Sequence, residues 1–487
     1  MIKKVNTLIL IILISLSIVS CGKVIRVRLI NMETNDKRSV QLIEKEEYDI
    51  SLFPKVIDGY YVKYSLDKGN SYINANDSFK FDKNNTLYYS LGIKADFFDI
   101  KSVGTVLITT EHKIETKENY VDAKILVTDG DSYIDAKSKI KLRGNSTLWV
   151  DKKSYKIKFE EKQNLLGMGM DKEWALLANY FDPTYLRNYY AYNLALALGL
   201  EYSCECKFVE VYLNDEYNGL YLLSETVKTS EERVNIEVET NSLEVPFLLE
   251  LDMKLIQDNP NYMETIDDEM FLIDNSRYNQ KIYPFGTKYP DSFKDLNSGE
   301  YNFIKAYMKG TFDSVRNGNY EEYIDVDSFI NYYLVQELFM NVDLDYSSVY
   351  MYKPVGEKLK FGPVWDFDLS SGNVGYIEGY SYNKTMRDIN GGSYLFNELY
   401  KDDTVKNKFN RRLDEINLDI IPALFDSIDS NNLFLSKYAK KDNNKWNVLN
   451  DKNWARPTNL VGISYKEQVE YFKNYLILHN EYMKENM

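Results

Sequence analysis

The sequence predicts an α+β protein, with strands in its first half and mainly helices in its second half. Up to about residue 228, short runs alternate apolar and polar residues between Gly, Pro and Asn-Asp turns, which is typical of strands. From about residue 290, apolar residues recur at the spacing of amphipathic helices. The 487 residues are enough for two or three domains. The formal net charge of −15 argues against a general nucleic-acid binder, because phosphate backbones need basic surface.

The N-terminus has the features of a bacterial lipoprotein signal. Lys3 and Lys4 precede the apolar run Leu8–Val19, which is too short to span a bilayer comfortably and leads into Ile-Val-Ser-Cys. We therefore predict a signal peptide over residues 1–20 and diacylation of Cys21. This would anchor the protein to the outer face of the bacterial cytoplasmic membrane. The alternative is an uncleaved anchor that happens to end in a cysteine.

Residues 21–97 are expected to form a small all-β domain. Runs such as VIRVRLI and NTLYYSLG alternate apolar and polar residues. The segment from Tyr48 to Ser90 resembles the small β-rich repeats of bacterial surface proteins. Such a domain either spaces the rest of the chain from the membrane or mediates adhesion.

A second β-rich region is predicted from about residue 98. The run KIKLR leads into a turn at Arg143–Thr147, and YKIKF places Lys156 and Lys158 on one face of a strand. The segment from Asn164 to Tyr180 is expected to form a loop or a short helix.

A helix and a hairpin follow this region. Asp182 and the proline after it predict a helix start, and Gly199 predicts its end. The segment from Phe208 to Lys228 reads as a hairpin with an Asn-Asp turn. Cys204 and Cys206 lie two positions apart on a predicted strand, which places them badly for a mutual disulfide, so buried or free thiols are expected.

An acidic hairpin organises the second half of the chain. A helix pattern leads to Asp343 and Asp345, and a β-like run, a turn at Gly356 and a second run then lead to Asp366 and Asp368. Because a hairpin brings its ends together, these carboxylates are expected to converge on one site. Carboxylates at close range repel one another unless a cation or a shared proton intervenes. Hard oxygen ligands of this kind suit Mg²⁺ or Mn²⁺.

The motif PVWDFD, with the upstream pattern D-x4-S-x-Y-x-Y, resembles the spore-coat protein H (CotH) family of atypical secreted kinases. Further segments that carry the resemblance are RGNST, KKSYKIKF, WALLANYFDPTYLRN, YNGLYLLSE and FLLELD. The resemblance implies an atypical protein kinase-like, two-lobed fold over residues 98–487. Its β-rich N-lobe would span about 98–228 and its helical C-lobe about 229–487. It also implies ATP and Mg²⁺ or Mn²⁺ as cofactors.

By this resemblance, the β-rich half binds the nucleotide. Its candidate nucleotide-binding residues are Arg143, Asn145, Ser146, Lys156, Lys158 and Glu225. Lys156 or Lys158 would be the phosphate lysine. The helix that follows contains no acid to pair with it, so Glu225 or Glu250 is its expected partner unless the pair is absent; Glu225 also lies at a predicted adenine-reading hinge. The alternative is a polar hairpin tip with lysines on a solvated face.

The resemblance assigns the chemistry to the acidic hairpin. Asp343 would orient the acceptor hydroxyl or accept its proton, and Asp366 would bind the metal. Ser348 stands where ordinary kinases place an Asn as second metal ligand. Asp368 replaces the Gly of the Asp-Phe-Gly motif and would coordinate the metal or hydrogen-bond the loop, and Asp345 is an alternative base. The competing interpretation is a calcium-stabilised loop without catalysis.

The predicted reaction is transfer of the ATP γ-phosphoryl group to Ser, Thr or Tyr of a cell-surface or spore-coat-type protein outside the cytoplasm. The alternative is a catalytically inactive, kinase-fold lipoprotein that binds or scaffolds surface partners. A third interpretation is a role in carbohydrate-degrading assemblies.

Overall fold

A computed structural model describes residues 23–82, 84–236, 244–252, 270–275, 281–290, 298–344, 346–377, 381–389 and 394–487. The structure is a mixture of sheets and helices, which confirms the α+β class. It divides into two compact units, one of Met1–Asp99 with Asp414–Ser427 and one of Ile100–Leu413 with Ile428–Met487. The predicted signal peptide and Cys21 lie outside the described residues, so the lipoprotein signal stays a prediction.

The first unit is built from short strands around an apolar core. Its strands are β1 (Val24–Asn31), β2 (Lys37–Ile43), β3 (Tyr48–Asp49), β4 (Val56–Ile57), β5 (Tyr60–Ser65), β6 (Ser78–Phe79) and β7 (Thr86–Lys94). One sheet has the order β2-β1-β7-β5-β4, and β3 pairs with β6. Because side chains alternate along these strands, Val27, Leu29, Leu87 and Tyr89 are almost fully buried in one core.

The second unit begins with a closed barrel. Its strands are β8 (Gly104–Thr109), β9 (Val121–Thr128), β10 (Tyr133–Arg143), β11 (Ser154–Asn164), β12 (Met170–Leu177), β13 (Cys206–Leu213) and β14 (Glu216–Glu225). They follow the order β10-β11-β12-β14-β13-β8-β9 around the barrel. Ile125, Ile157, Trp174 and Tyr221 belong to its buried core. Lys156 and Lys158 lie on the opposite face of β11 from Ile157, as the alternation predicted.

The strand β12 corrects the prediction of a loop or short helix between Asn164 and Tyr180. It pairs with β11 on one side and with β14 on the other. Its last four residues, Trp174–Leu177, are all buried. A strand that is covered on both faces shows no alternation of apolar and polar residues, and that is why the pattern was misread.

The remaining elements of the second unit are helices and a second sheet. The helices are α1 (Leu186–Ala197), α2 (Gly299–Asn317), α3 (Val326–Leu338), α4 (Met386–Ile389), α5 (Tyr394–Lys401), α6 (Asp403–Ile416), α7 (Ile420–Trp446) and α8 (Tyr465–Asn486). Residues Asp414–Ser427, at the end of α6 and the start of α7, are assigned to the first unit. The second sheet has the order β16-β17-β15-β18-β19, formed by β15 (Phe247–Leu251), β16 (Met270–Asn275), β17 (Lys281–Tyr289), β18 (Val349–Lys353) and β19 (Lys360–Phe361).

The structure tests the predictions for the acidic hairpin, for helix α1 and for the two cysteines. The hairpin of β18 and β19 is present, with Gly356 at a φ of +75° in its turn. Helix α1 ends before Gly199, as predicted, but it begins at Leu186 rather than at Asp182. Cys204 and Cys206 are both buried free thiols. In the described part of the chain, no helix is both long enough and apolar enough to cross a membrane.

Candidate active site

A cavity of about 430 Å³ lies in the second unit and is lined by both carboxylates and cations. Its acidic residues are Glu250, Asp252, Asp343, Asp366 and Asp368. Its basic residues are Lys117, Lys141, Arg143 and Lys288. The two ends of the acidic hairpin therefore meet at one cavity with the turn that follows β10.

The loop that carries Asp366 is held by hydrogen bonds from both of its sides. Asp366 has a φ of +67°, a left-handed conformation that is uncommon for a residue with a side chain. The next backbone amide, that of Phe367, donates to Oδ1 of Asn188 at 2.7 Å. Nδ2 of Asn373 donates to the carbonyl oxygen of Asp368 at 2.7 Å. These bonds fix the direction in which the two carboxylates leave the backbone.

Behind this loop lies a fully buried ion pair. Arg187 in α1 contacts Asp182 at 2.5 Å, and neither side chain is exposed to solvent. Nε of Arg187 also donates to the carbonyl oxygen of Ser370 at 2.8 Å. The backbone amide of Arg187 donates in turn to Asp182 at 2.9 Å. Helix α1 contains no acid, and its first turn instead carries Arg187, which binds the loop that follows Asp368.

The electrostatics of the acidic residues indicate strong crowding. Burial raises the pKa of Asp368 well above its usual range, and the charges of Asp366 and Asp343 raise it further. Such a group stays protonated or requires a cation nearby. Asp343 also shapes its own loop, because its carbonyl oxygen accepts from the backbone amides of Tyr346 at 2.8 Å and Ser347 at 3.1 Å.

Ser348 also has a left-handed backbone, with a φ of +59°. It lines the same cavity as Asp343, which precedes it by five positions. Asp345, the alternative base, lies outside the described residues. The structure therefore brings together Asp343, Ser348, Asp366 and Asp368 at one cavity.

The carboxylates of the cavity fit a divalent cation that is bound together with a phosphate group. Within the described residues, no group of three or more His, Cys, Asp or Glu side chains is arranged to hold a metal ion alone. Mg²⁺ in nucleotide sites is usually bound through one or two carboxylates, with phosphate oxygens and water completing its coordination. Asp366 with Asp368 or Asp343 could provide such a partial set, and the crowding of their charges favours a cation.

The turn after β10 contributes three of the predicted nucleotide-binding residues, Arg143, Asn145 and Ser146, to the cavity. Gly144 makes this turn possible, since its φ is +90° and a Cβ there would collide with Oγ1 of Thr147 at 2.1 Å. Nζ of Lys117 donates to Oδ1 of Asn145 at 3.1 Å.

The Arg143 guanidinium belongs to an aromatic stack beside the acidic loop. It lies 5.2 Å from the ring centroid of Trp365, the residue directly before Asp366. Trp365 is itself stacked on Tyr192 of α1, with 5.6 Å between the ring centroids. The cationic turn and the acidic loop are therefore held next to each other.

Lys156, Lys158 and Glu225 do not line the cavity. Nζ of Lys156 lies 2.6 Å and Nζ of Lys158 lies 3.2 Å from Glu173, which is on the neighbouring strand β12. Glu173 stands directly opposite Lys158 in the register. The prediction that Glu225 or Glu250 is the partner of these lysines is therefore wrong, because the nearest acid comes from a strand that the sequence did not reveal.

Glu225 and Glu250 have partners of their own. Glu225 pairs with Arg233, and burial nevertheless raises its pKa to about 7. Glu250 does line the cavity, where it accepts from the hydroxyl of Tyr350 at 2.6 Å and contacts Lys288 at 2.6 Å. Glu225 is thus a buried structural acid in this arrangement.

Sequence reasoning missed Lys141 and Lys288 as cations of the cavity. Lys141 is two positions before Arg143 in β10, so that strand alternation places both on one face. Burial and the nearby Lys156 lower the pKa of Lys141. The alternation was a usable signal for Lys141, whereas Lys288 reaches the site only through the pairing of β17 with β15.

The family model of the CotH kinase proteins matches residues 140–483, which is more than half of the chain and includes every described cavity residue except Lys117. The chain belongs to the CotH kinase family. The match begins in β10, directly before the Arg143 turn, and includes the acidic hairpin and the helices. A search of curated proteins finds no match to this CotH kinase family member.

Proposed function

We propose that this CotH kinase family member transfers the γ-phosphoryl group of ATP to a hydroxyl of a protein. The observation that carries the proposal is that the Arg143 turn and the carboxylates of Asp343 and Asp366 line the same cavity. Phosphoryl transfer needs chiefly positioning and charge neutralisation, and a cavity of mixed charge provides both. In this proposal the barrel acts as the N-lobe and the helical region as the C-lobe of a kinase-like arrangement.

Each residue of the cavity has a role in this proposal. Arg143, with Asn145 and Ser146, binds the phosphate oxygens of ATP. Asp366, with Asp368, holds a divalent ion such as Mg²⁺ or Mn²⁺, which when bound neutralises phosphate charge. Asp343 orients the acceptor hydroxyl and accepts its proton. The acceptor oxygen forms a bond to the γ-phosphorus while the bond to the β–γ bridging oxygen breaks, and ADP leaves.

The acceptor and the location are part of the same proposal. The acceptor is Ser, Thr or Tyr of a protein outside the cytoplasm, because Cys21 is proposed to anchor the chain to the outer face of the membrane. Growth with a labelled fatty acid of cells that express the wild type or Cys21→Ser tests this anchor. The wild type should incorporate the label and the variant should not, and equal labelling of the two, or none of either, would contradict lipidation of Cys21.

A second candidate function is an inactive kinase-fold protein that binds surface partners. The observation that favours it is the engagement of Lys156 and Lys158 by Glu173, which leaves the predicted phosphate lysines outside the cavity. Ser348 is also a poorer metal ligand than the Asn of ordinary kinases. The active enzyme remains the preferred function, since Lys141 and Arg143 supply cations to the cavity.

Label transfer separates the two candidates. The protein from residue 22 onward is incubated with γ-labelled ATP, Mg²⁺ or Mn²⁺ and generic protein acceptors, beside Asp366→Ala and the exposed control Asp131→Ala. We expect label on protein with the wild type and with Asp131→Ala, and nearly none with Asp366→Ala, because the metal carboxylate is lost. Equal labelling by Asp366→Ala would overturn the assignment, and no labelling by the folded wild type would favour the inactive protein.

A further inference from the structure

Asn179 has a side chain whose amide is buried in the cavity without a hydrogen-bond partner. It is 5% exposed, it lines the cavity, and neither Nδ2 nor Oδ1 forms a hydrogen bond. Buried amide groups are nearly always hydrogen-bonded, because leaving a donor and an acceptor unpaired opposes folding. An amide kept in this state at the wall of a cavity points to a ligand that completes its hydrogen bonds.

The position of Asn179 places it near the acidic residues. It follows β12 by two residues, and its carbonyl oxygen accepts from the backbone amide of Asp182 at 3.2 Å. Asp182 in turn binds Arg187, whose guanidinium holds the loop after Asp368. Asn179 is thus joined through one short turn to the framework of the metal-binding loop.

The chemistry of an amide narrows the class of ligand. Nδ2 can only donate hydrogen bonds and Oδ1 can only accept them. A phosphate oxygen accepts, whereas a divalent ion or its bound water takes up an acceptor oxygen. A polyphosphate with its cation therefore satisfies both atoms of the amide at once. The edge of adenine formed by its N6 amino donor and its N7 acceptor would do so too, but the connection to Asp182 favours the phosphate end.

We propose that Asn179 binds the metal–phosphate end of a nucleoside triphosphate. Nδ2 donates to a phosphate oxygen, and Oδ1 faces the divalent ion or its water. This inference rests on the proposed function, because it takes Mg·ATP as the ligand of the cavity. It assigns a binding role to a residue that sequence patterns place only in a connecting segment.

The backbone conformation at position 179 could by itself explain the presence of an asparagine, so it must be separated from ligand binding. Its φ is +50°, a left-handed conformation that Asn tolerates better than most residues. Glycine adopts this backbone freely but lacks the amide. Asn179→Gly therefore keeps the turn and removes the proposed ligand contact. Asn35, which is exposed and has a φ of +59°, provides the matched control Asn35→Gly.

Calorimetric titration of the protein from residue 22 onward with Mg·ATP, and separately with adenosine, tests the proposal. Asn179→Gly should weaken Mg·ATP binding about tenfold or more, which is typical of losing a hydrogen bond to a charged group, and leave adenosine binding unchanged. Asn35→Gly should leave both unchanged. Retained adenosine binding also shows that the variant is folded.

A second variant covers the case in which glycine prevents folding. Asn179→Asp has the same size and tolerates the left-handed backbone, but it places a negative charge where Nδ2 donates. Its affinity for metal-free ATP should fall by at least tenfold. An unchanged Kd for Mg·ATP in Asn179→Gly, or for metal-free ATP in a folded Asn179→Asp, would overturn the inference. An equal loss for adenosine would overturn it in favour of a base contact.

A failure of this inference can be distinguished from a failure of the proposed function, since these experiments measure binding rather than transfer. Weakened Mg·ATP binding in Asn179→Gly, together with a wild type that transfers no label, would refute the kinase activity and support the role of Asn179. Label transfer by the wild type with an unchanged Kd in both variants would refute only the role of Asn179.

Discussion

Asp343 and Asp366 are separated by 23 positions in the chain but line one cavity, because the β18–β19 hairpin returns the chain to its starting point. Asp366 itself has a left-handed backbone. Local strain of this kind persists only where surrounding bonds hold it. Hydrogen bonds with Asn188 and Asn373 hold the Asp366 loop, so the strained backbone that directs the Asp366 carboxylate is stabilised by its neighbours.

Asp343 should contribute to transfer and not to nucleotide binding. Asp343→Asn keeps the size of the side chain and its ability to hydrogen-bond, but removes the carboxylate that accepts the hydroxyl proton. We expect label transfer to fall by about 10²-fold or more, with the Kd for Mg·ATP changed by less than about threefold. Stopped transfer assays and calorimetry on the same preparation measure the two quantities. A comparable loss of affinity would assign Asp343 to nucleotide or metal binding instead.

The candidate residues that the sequence correctly placed close together are those whose position depends on local chain reversal. The acidic hairpin and the turn at Gly144 need only nearby residues to form. The sequence was therefore sufficient to propose Asp343, Asp366 and Arg143 as candidate site residues. Lys156 and Lys158 were expected at the nucleotide site but do not line the cavity. Their surroundings depend on which strand lies next to β11, and the sequence did not show that this is β12. Asn179 gave no signal, since a missing hydrogen bond is visible only in three dimensions.

At the scale of elements, α1 acts as the support of the acidic loop. Arg187 and Asn188, from its first turn, reach the carbonyl oxygen of Ser370 and the amide of Phe367. The helix therefore positions the acidic loop through Arg187 and Asn188, although it contains no acid of its own. Because its first turn is completely buried, its polar residues do not show the periodicity of an amphipathic helix.

Asn188→Ala tests this support. It removes the acceptor of the buried Phe367 amide, so we expect the free energy of unfolding to fall by about 1–3 kcal/mol and transfer to fall by about tenfold or more. Asn193→Ala on the same helix removes only a local bond to the carbonyl oxygen of Tyr189 and is the control. Denaturant unfolding and label transfer measure both effects. Equal activity of the two variants would show that α1 does not position Asp366.

Helices α3 and α8 meet at a buried acid with an altered pKa. Burial raises the pKa of Glu337 to about 7, although the backbone amide of Met386 donates to its carboxylate at 2.9 Å. His479 lies 3.8 Å away, and burial lowers its pKa, so it is neutral at pH 7. Arg387 and Asp388 are the other charged groups whose fields act on Glu337. The native state therefore favours the protonated carboxyl.

This pKa predicts a pH-dependent stability. A raised pKa in the folded state means that the contribution of Glu337 is fully present below about pH 4.5 and is lost as the pH rises through about 7. Glu337→Gln removes this loss, so the variant should gain stability relative to wild type between pH 5 and pH 8, by up to about 3 kcal/mol. Chemical denaturation at a series of pH values measures the difference. A difference that does not vary with pH would contradict the assigned protonation.

The whole molecule combines a small β unit with a larger unit that contains the cavity. The class α+β and most strands followed from the sequence, because exposed strands alternate and amphipathic helices show their period. The closure of β8–β14 into a barrel did not, since strand order depends on contacts between distant segments and β12 shows no alternation. The placement of Asp414–Ser427 with the first unit was also beyond local patterns.

The position of the label in ATP shows whether the protein transfers the γ-phosphoryl group. Parallel incubations of the protein from residue 22 onward with α-labelled and γ-labelled ATP identify which phosphorus reaches the acceptor. We expect label on protein from γ-labelled ATP only, with Asp366→Ala inactive, because the bond that breaks is the one between the γ-phosphorus and the β–γ bridging oxygen. Label from α-labelled ATP, or none from either with Mg²⁺ and Mn²⁺ both supplied to folded protein, would contradict it.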